Sequence, residues 1–176
     1  MDPIDPADVA AAAAGDEVAF ERLVRALQGR IWRYLVQMIG DRALAEDLAQ
    51  EVFIRMHRKL HTVHDPERLL PWVFTVARNK AYDAGRSRQR RPLELLGDRE
   101  LAGESVDPHV EVEVSDALDR LERDLCEAVT LVGVTGLTYA EAATVLGVPV
   151  GTVKSRVFRA RAELMKTLNR GRHDVR

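Results

Sequence analysis

Apolar residues spaced three and four apart recur along nearly the whole chain, separated by short polar clusters that contain Asp, Gly or Pro. That rhythm predicts helices almost from end to end. Asp5-Pro6 supplies an N-cap followed by proline at the first helical position, and the short helix it opens is predicted to stop at Gly15. A second helix, capped by Asp16, carries Phe20, Leu23, Val24, Leu27, Ile31, Leu35 and Met38 on one stripe and ends at Gly40. Asp41 caps a third, with Leu44, Leu48, Val52, Met56 and Leu60 in line. A loop follows, His61-Thr62-Val63-His64-Asp65-Pro66, after which Pro71 sits in the first turn of a helix running through Trp72, Val76 and Lys80 to about Gly85. Strict two-residue alternation bounded by turn signals is absent, and Val110, Val112 and Val114 lie in acidic, helix-tolerant surroundings. The fold class is all-α.

From Arg86 to about Glu113 the apolar stripe lapses and Pro92, Gly97, Gly103 and Pro108 interrupt the chain, which reads mainly as a linker on which Leu93, Leu95 and Leu96 could dock a partner. Helical periodicity resumes near Val114 to Leu118 and runs, with Leu121, Leu125, Val129 and Val132, to Thr135-Gly136. Thr138-Tyr139-Ala140-Glu141 then fits a capping box, its helix reaching Leu146 before Gly147-Val148-Pro149 makes a sharp stop. Beyond it, Val153, Val157, Ala160, Leu164 and Leu168 form one stripe and leave Lys154, Ser155, Phe158 and Arg159 on another face. Helix, glycine turn, helix with a basic outer face is a helix-turn-helix. The expected organisation is two small helical domains, 1–91 and 114–170, joined by a flexible acidic linker, 92–113, and followed by a basic tail, 171–176.

Bulk composition hides a segregation of charge. The chain has 176 residues and a formal net charge of −2, which taken alone argues against a polyanionic partner. Yet Arg78 to Arg91 holds Arg78, Lys80, Arg86, Arg88, Arg90 and Arg91 against Asp83 alone. Val150 to the end carries Lys154, Arg156, Arg159, Arg161, Lys166, Arg170, Arg172 and Arg176 against Glu163 and Asp174, whereas Leu93 to Asp124 is strongly acidic. Two basic segments separated by an acidic one can hold nucleic acid at two places while the total stays near zero. The amides near Gly151 and Thr152, at the positive end of the last helix, suit a phosphate. In a major groove Lys or Arg reaches guanine acceptors, Ser either donor or acceptor, and Phe158 a thymine methyl or sugar.

Catalytic chemistry finds little support. His57 and His61 are four apart on a helix, but Arg58 follows where a zinc protease of that spacing needs Glu, and no glycine-rich phosphate loop is present. Cys126, the single cysteine, reads as a buried small hydrophobe. The acidic start, Met1-Asp2-Pro3-Ile4-Asp5, is unlike a secretory signal, and no apolar run approaches the ~20 residues of a membrane span. A cytoplasmic chain with no enzymatic activity, metal or cofactor is expected.

Residues 136 to 161 resemble the C-terminal DNA-binding region of bacterial sigma factors of the extracytoplasmic-function (ECF) group, Val150-Gly151-Thr152-Val153-Lys154-Ser155-Arg156 especially. Such a helix-turn-helix is shared with response regulators, but a second match is independent of it. Asp47-Leu48-Ala49-Gln50-Glu51-Val52-Phe53, continuing to Leu60, resembles the family's polymerase-binding motif. Helical spacing puts Asp47, Gln50, Glu51, Ile54 and Arg58 on one face, opposite the stripe of Leu48, Val52 and Met56. The resemblance assigns Asp47, Leu48, Gln50, Glu51, Ile54 and Arg58 to core RNA polymerase, whose largest catalytic subunit presents a coiled coil. Trp72 to Asp83 is similar to the helix that reads the minus-ten element, and His61 to Pro71 to the loop that captures a base turned out of the non-template strand. His61, His64, Arg78, Asn79, Lys80, Arg86 and Arg88 are the minus-ten candidates it implies, with Trp72 read as a core residue. Gly151, Thr152, Lys154, Ser155, Arg156, Phe158, Arg159 and Arg161 are those for the minus-thirty-five element.

The likeness spans about residues 7 to 170. Leu121-Glu122 stands where the family usually has Leu-Pro, so two helices there are expected to be fused or differently bent. Partners implied are core RNA polymerase, promoter DNA and an anti-sigma factor, without membrane insertion; no surface for homo-oligomers is evident. A helix-turn-helix regulator that works without being a polymerase subunit is the alternative, but it leaves the Asp47 to Phe53 face and the first basic segment unused.

Overall fold

The computed structural model describes residues 4–89, 114 and 116–171, and among these every regular element is helical. The chain divides into two compact units, Met1–Leu95 and Leu96–Arg176.

The first unit contains α1 (Pro6–Ala13), α2 (Glu17–Ile39), α3 (Arg42–Lys59) and α4 (Leu69–Gln89), with single 3-10 turns at Leu60–Thr62 and Pro66–Arg68. The starts of α1, α2 and α3 are each set by an aspartate whose carboxylate accepts from first-turn amides: Asp5 from Ala7 at 2.8 Å, Asp16 from Val18 and Ala19 at 2.9 and 3.0 Å, Asp41 from Leu44 at 3.0 Å. Such caps contribute about 1 kcal/mol each by satisfying donors that lack intrahelical partners. Gly40 ends α2 in the left-handed region, φ 72°, where a side chain would be strained.

Three helix stripes converge on one core. Leu23, Leu27, Ile31, Tyr34 and Leu35 of α2 meet Val52 and Met56 of α3 and Val73, Phe74 and Ala77 of α4, all essentially inaccessible. Burying each of the larger side chains stabilises the fold by about 1.5–3 kcal/mol relative to exposure. Tyr34 and Phe74 pack edge to face with centroids 5.7 Å apart, and the guanidinium of buried Arg30 lies 5.9 Å from the Phe74 centroid. The opening helix α1 packs on α2 and on both 3-10 turns. Val9 is its buried anchor, and Asp8 accepts from Arg22 Nε at 3.0 Å and Nη2 at 2.6 Å. Hydrogen bonding and charge from Arg22 hold the Asp8 carboxyl below the usual range against a smaller opposing effect of burial, and Asp8 raises Arg22 in turn.

Two expectations change here. The last helix of this unit starts at Leu69 and continues past Gly85 to Gln89, because one glycine costs a helix only about 1 kcal/mol and the residues after it tolerate helix well. Trp72 is half-buried; Val73, Phe74 and Ala77 take the core positions.

The second unit holds a helical turn at residues 116–119, then α5 (Arg123–Val129), a π-helical turn (Thr130–Val134), α6 (Tyr139–Leu146) and α7 (Val150–Gly171). The helical unit anticipated to begin near Val114 to Leu118 and run to Thr135-Gly136 is therefore made of separate pieces. At Glu122 the backbone is extended, φ −54° and ψ 138°, so the two helices are separate although Glu122 replaces the expected proline. After Val129 the ladder widens by one residue, Thr135 N donating to Thr130 O at 3.0 Å, while Thr135 Oγ1 donates to Leu131 O at 2.6 Å. Leu125, Ala128, Leu131, Leu137, Ala142, Val145, Val153, Val157 and Ala160 make the core, and Cys126 is buried beside them. Leu164 and Leu168 on the outer half of α7 are only half-buried. The linker, 92–113, with Leu93, Leu95 and Leu96, lies outside the described residues, as does the tail beyond Gly171.

Candidate partner and nucleic-acid interfaces

On α3 the helical period separates a core side from an outer side. Asp47, Gln50, Glu51 and Arg58 are exposed, and Ile54 is 52% exposed despite being apolar. Leu48 does not join them: it is 7% exposed and packs in the core stripe with Val52 and Met56. An acidic and amide-bearing face around one exposed isoleucine suits a protein partner better than solvent alone. The ring of His57, on the same helix, packs edge-on against Phe20, centroids 5.0 Å apart.

The loop after α3 is held at its two ends. Leu60 and Leu69 are buried, while His61 and His64 between them are exposed. Thr62 Oγ1 donates to Lys59 O at 2.7 Å, and Asp65 Oδ1 accepts from Glu67 N at 3.0 Å, so local bonds shape the segment. Along α4, Asn79 and Arg86 are exposed. Arg78 lies over Tyr82, its guanidinium carbon 4.6 Å from the ring centroid and its Nη2 donating to the Tyr82 hydroxyl at 3.2 Å. Lys80 Nζ is ion-paired to Glu51 Oε2, joining the outer side of α3 to the basic side of α4. The side chain of Arg88 lies outside the described residues, together with Arg90 and Arg91.

In the second unit the capping box forms as the sequence spells it. Thr138 Oγ1 accepts from Glu141 N at 3.2 Å and the Glu141 carboxylate accepts from Thr138 N at 2.7 Å. Gly147, φ 67°, closes α6 and sets the turn into α7. With Val153, Val157 and Ala160 buried, α7 turns its opposite side outward: Gly151, Lys154, Ser155, Arg159 and Arg161 are exposed, and Phe158 is 76% exposed. Ser155 Oγ donates to Thr152 O at 2.9 Å. Half-buried Thr152 donates its amide to Pro149 O at 2.9 Å, which occupies one of the two amides expected to meet a phosphate. Arg156 also differs from expectation. It is half-buried, and its Nη2 is ion-paired with Asp124 Oδ2 on α5. Arg159 Nη2 stands 4.0 Å from Glu122 Oε2. Neither pairing was read from the sequence: more than thirty positions separate the partners in each, and no local pattern signals it. Tyr82, by contrast, sits four residues after Arg78, a spacing that does signal contact.

The exposed sets thus form a polar patch around Ile54 on α3, a histidine-bearing loop leading into a basic helix on α4, and a cationic face with an outward phenyl ring on α7. Among the described residues no helix is long and apolar enough to cross a membrane, and no group of three or more His, Cys, Asp or Glu is placed to hold a metal.

Comparison with known proteins follows the same division. The family model described as Sigma-70 region 2 matches residues 23–91, and that described as Sigma-70, region 4 matches residues 111–164. The RNA polymerase sigma-H factor of Pseudomonas aeruginosa is 35% identical over 170 residues, covering 88% of each chain. The ECF RNA polymerase sigma factor SigM of Bacillus subtilis is 34% identical over 152 residues, covering 82% of this chain and 91% of its own. Among solved structures, the sigma factor RpoE in complex with the anti-sigma factor NepR from Bartonella quintana superposes with a TM-score of 0.72 at 28% identity, over 85% of this chain and 96% of that one.

Proposed function

This chain belongs to the ECF group of RNA polymerase sigma factors, and from that premise we propose which of its surfaces meets which partner. As a sigma factor it binds core RNA polymerase and directs promoter-specific initiation. The outer side of α3, Asp47, Gln50, Glu51, Ile54 and Arg58, docks on the core enzyme, with Leu48 supporting it from within. His61, His64 and Asn79 meet the unpaired bases of the minus-ten element, whose phosphates are held by Arg78, Lys80, Arg86 and Arg88. Lys154, Ser155, Phe158 and Arg159 read the minus-thirty-five element in its major groove; Gly151 and Arg161 contact the flanking backbone.

The domain limits we adopt are 1–91 for the core- and minus-ten-binding part, 92–113 for the linker, 114–170 for the minus-thirty-five part and 171–176 for a basic tail. The relatives are transcription factors rather than enzymes, so the chain supplies binding and orientation while covalent chemistry belongs to polymerase. Its place is the cytoplasm, where polymerase and promoters are. An anti-sigma factor is the expected inhibitor, by analogy with the Bartonella quintana complex.

The observation that carries this reading is the face of α7, which projects a phenyl ring and two cations into solvent from a helix whose other side is locked by Val153, Val157 and Ala160. A regulator acting without polymerase would account for α7, but not for a region 2 match that spans α3 and α4. Run-off transcription on genomic fragments with core polymerase tests the proposal. Discrete start sites are expected; absence of both core binding and promoter-directed initiation would overturn it.

A further inference from the structure

Two carboxylates at the start of α5 face two arginines on α7, and the pairs differ in kind. Asp124 and Arg156 are in direct contact, the arginine side chain 23% exposed. One turn further along α7, Arg159 and Glu122 stand at 4.0 Å with side chains 62% and 69% exposed. Glu122 is the N-cap of α5, yet its carboxylate makes no capping hydrogen bond, so its charge is not committed to the amides of its own helix. Arg159, meanwhile, shares the outward face with Ser155 and Phe158 at helical spacing.

We propose that Glu122 sets the affinity of the second unit for DNA by holding Arg159 in the free protein, as an internal anion that a phosphate or guanine edge must displace. The inference rests on the docking of α7 described above. Carboxylate and phosphate are both anions that an arginine can pair with, and at 4.0 Å the carboxylate makes no hydrogen bond that an incoming acceptor would have to break. A solvated pair at this separation is weak enough to exchange. The Asp124–Arg156 pair is closer and less exposed; it stays closed, withdraws Arg156 from base reading, and ties α7 to α5. Adjacent turns of one helix thereby keep a fixed clasp and an exchangeable one.

A double-mutant cycle on holoenzyme preassembled from the full chain and core polymerase tests the role, with a fluorescent promoter duplex taken from the mapped start sites as probe. Glu122→Gln should tighten equilibrium binding about two- to five-fold when Arg159 is present, and leave it unchanged in an Arg159→Ala background. Asp116→Asn, which removes the same charge from an exposed position in the same unit, should have no effect. Equal tightening in both arginine backgrounds, or by Asp116→Asn, would show a bulk-charge effect and overturn the role of Glu122; so would unchanged or weaker binding by Glu122→Gln. If Arg159→Ala alone left affinity untouched, the docking of α7 would fall, and the proposal with it.

Discussion

Neighbouring positions on α7 are predicted to fail in opposite ways. Val157 is 1% exposed and Phe158 is 76% exposed, so one belongs to the core and the other to the outer face. Replacing Val157 with Ala removes two buried methyl groups at about 0.8 kcal/mol each and leaves a small cavity, for a loss of about 2 kcal/mol in folding stability. Replacing Phe158 with Ala removes no core contact; alanine is the better helix former, so stability is unchanged or higher by about 0.5 kcal/mol. The cost of that change falls on DNA. Burying a phenyl side chain completely is favourable by about 1.5–3 kcal/mol, and a groove that covers part of the exposed ring recovers about 1–2 kcal/mol, or five- to thirty-fold in affinity. Urea unfolding of the full chain, set beside promoter affinity of the holoenzyme, separates the two effects. A Phe158→Ala variant that lost 1 kcal/mol of stability, or kept full promoter affinity, would refute this division of α7.

Three further outcomes follow from single contacts. Thr130 Oγ1 is buried without a hydrogen-bond partner, so the nearly isosteric Thr130→Val should stabilise the second unit by about 1 kcal/mol, read as a higher denaturant midpoint; a lower midpoint would contradict the absence of a partner. Asp8 ionises below its ordinary value of 3.8 because of Arg22, so the pairing stabilises docked α1 above that pH and the benefit disappears as pH falls through the lower folded-state value. Protection of the α1 amides, taken relative to the intrinsic exchange rate at each pH, should therefore fall in acid in the parent chain, whereas Asp8→Asn should show lower protection at neutral pH and lose the acid dependence attached to this pair. Glu51→Ala should weaken core-polymerase binding in a competition assay while leaving the fold intact, because the side chain is exposed on α3; unchanged affinity would remove Glu51 from the docking face.

The helices of the first unit were legible because their signals are local. Asp5, Asp16 and Asp41 sit where a cap must sit, and Gly40 where the chain must turn left-handed. The Thr138–Glu141 box and Gly147 are equally local, and with them came the outward face of α7. What escaped depends on packing between elements. Whether Trp72 or Phe74 takes the core position on α4 is decided by the helices that cover them. The extended backbone at Glu122 and the widened turn at Thr130–Val134 carry no proline or glycine signature strong enough to announce them. Pairings such as Glu51 with Lys80 and Asp124 with Arg156 join distant positions, and charge counting treats each partner as if it were free. The acidic segment before α7 looked like an offset to the basic one; its last two acids are direct partners of that helix.

The loop between α3 and α4 is pinned by Leu60 on one side and Leu69 on the other, with His61 and His64 outside the core. If the loop meets DNA as proposed, folding and recognition draw on separate residues of one short segment. Substitutions at the exposed His61 and His64 can accumulate with little effect on the stability of the helices, whereas either leucine is answerable to the whole domain. A lineage can alter what this loop contacts by exchanging its interior and keeping its ends, a form of tinkering in which new preferences are tried on an unchanged frame.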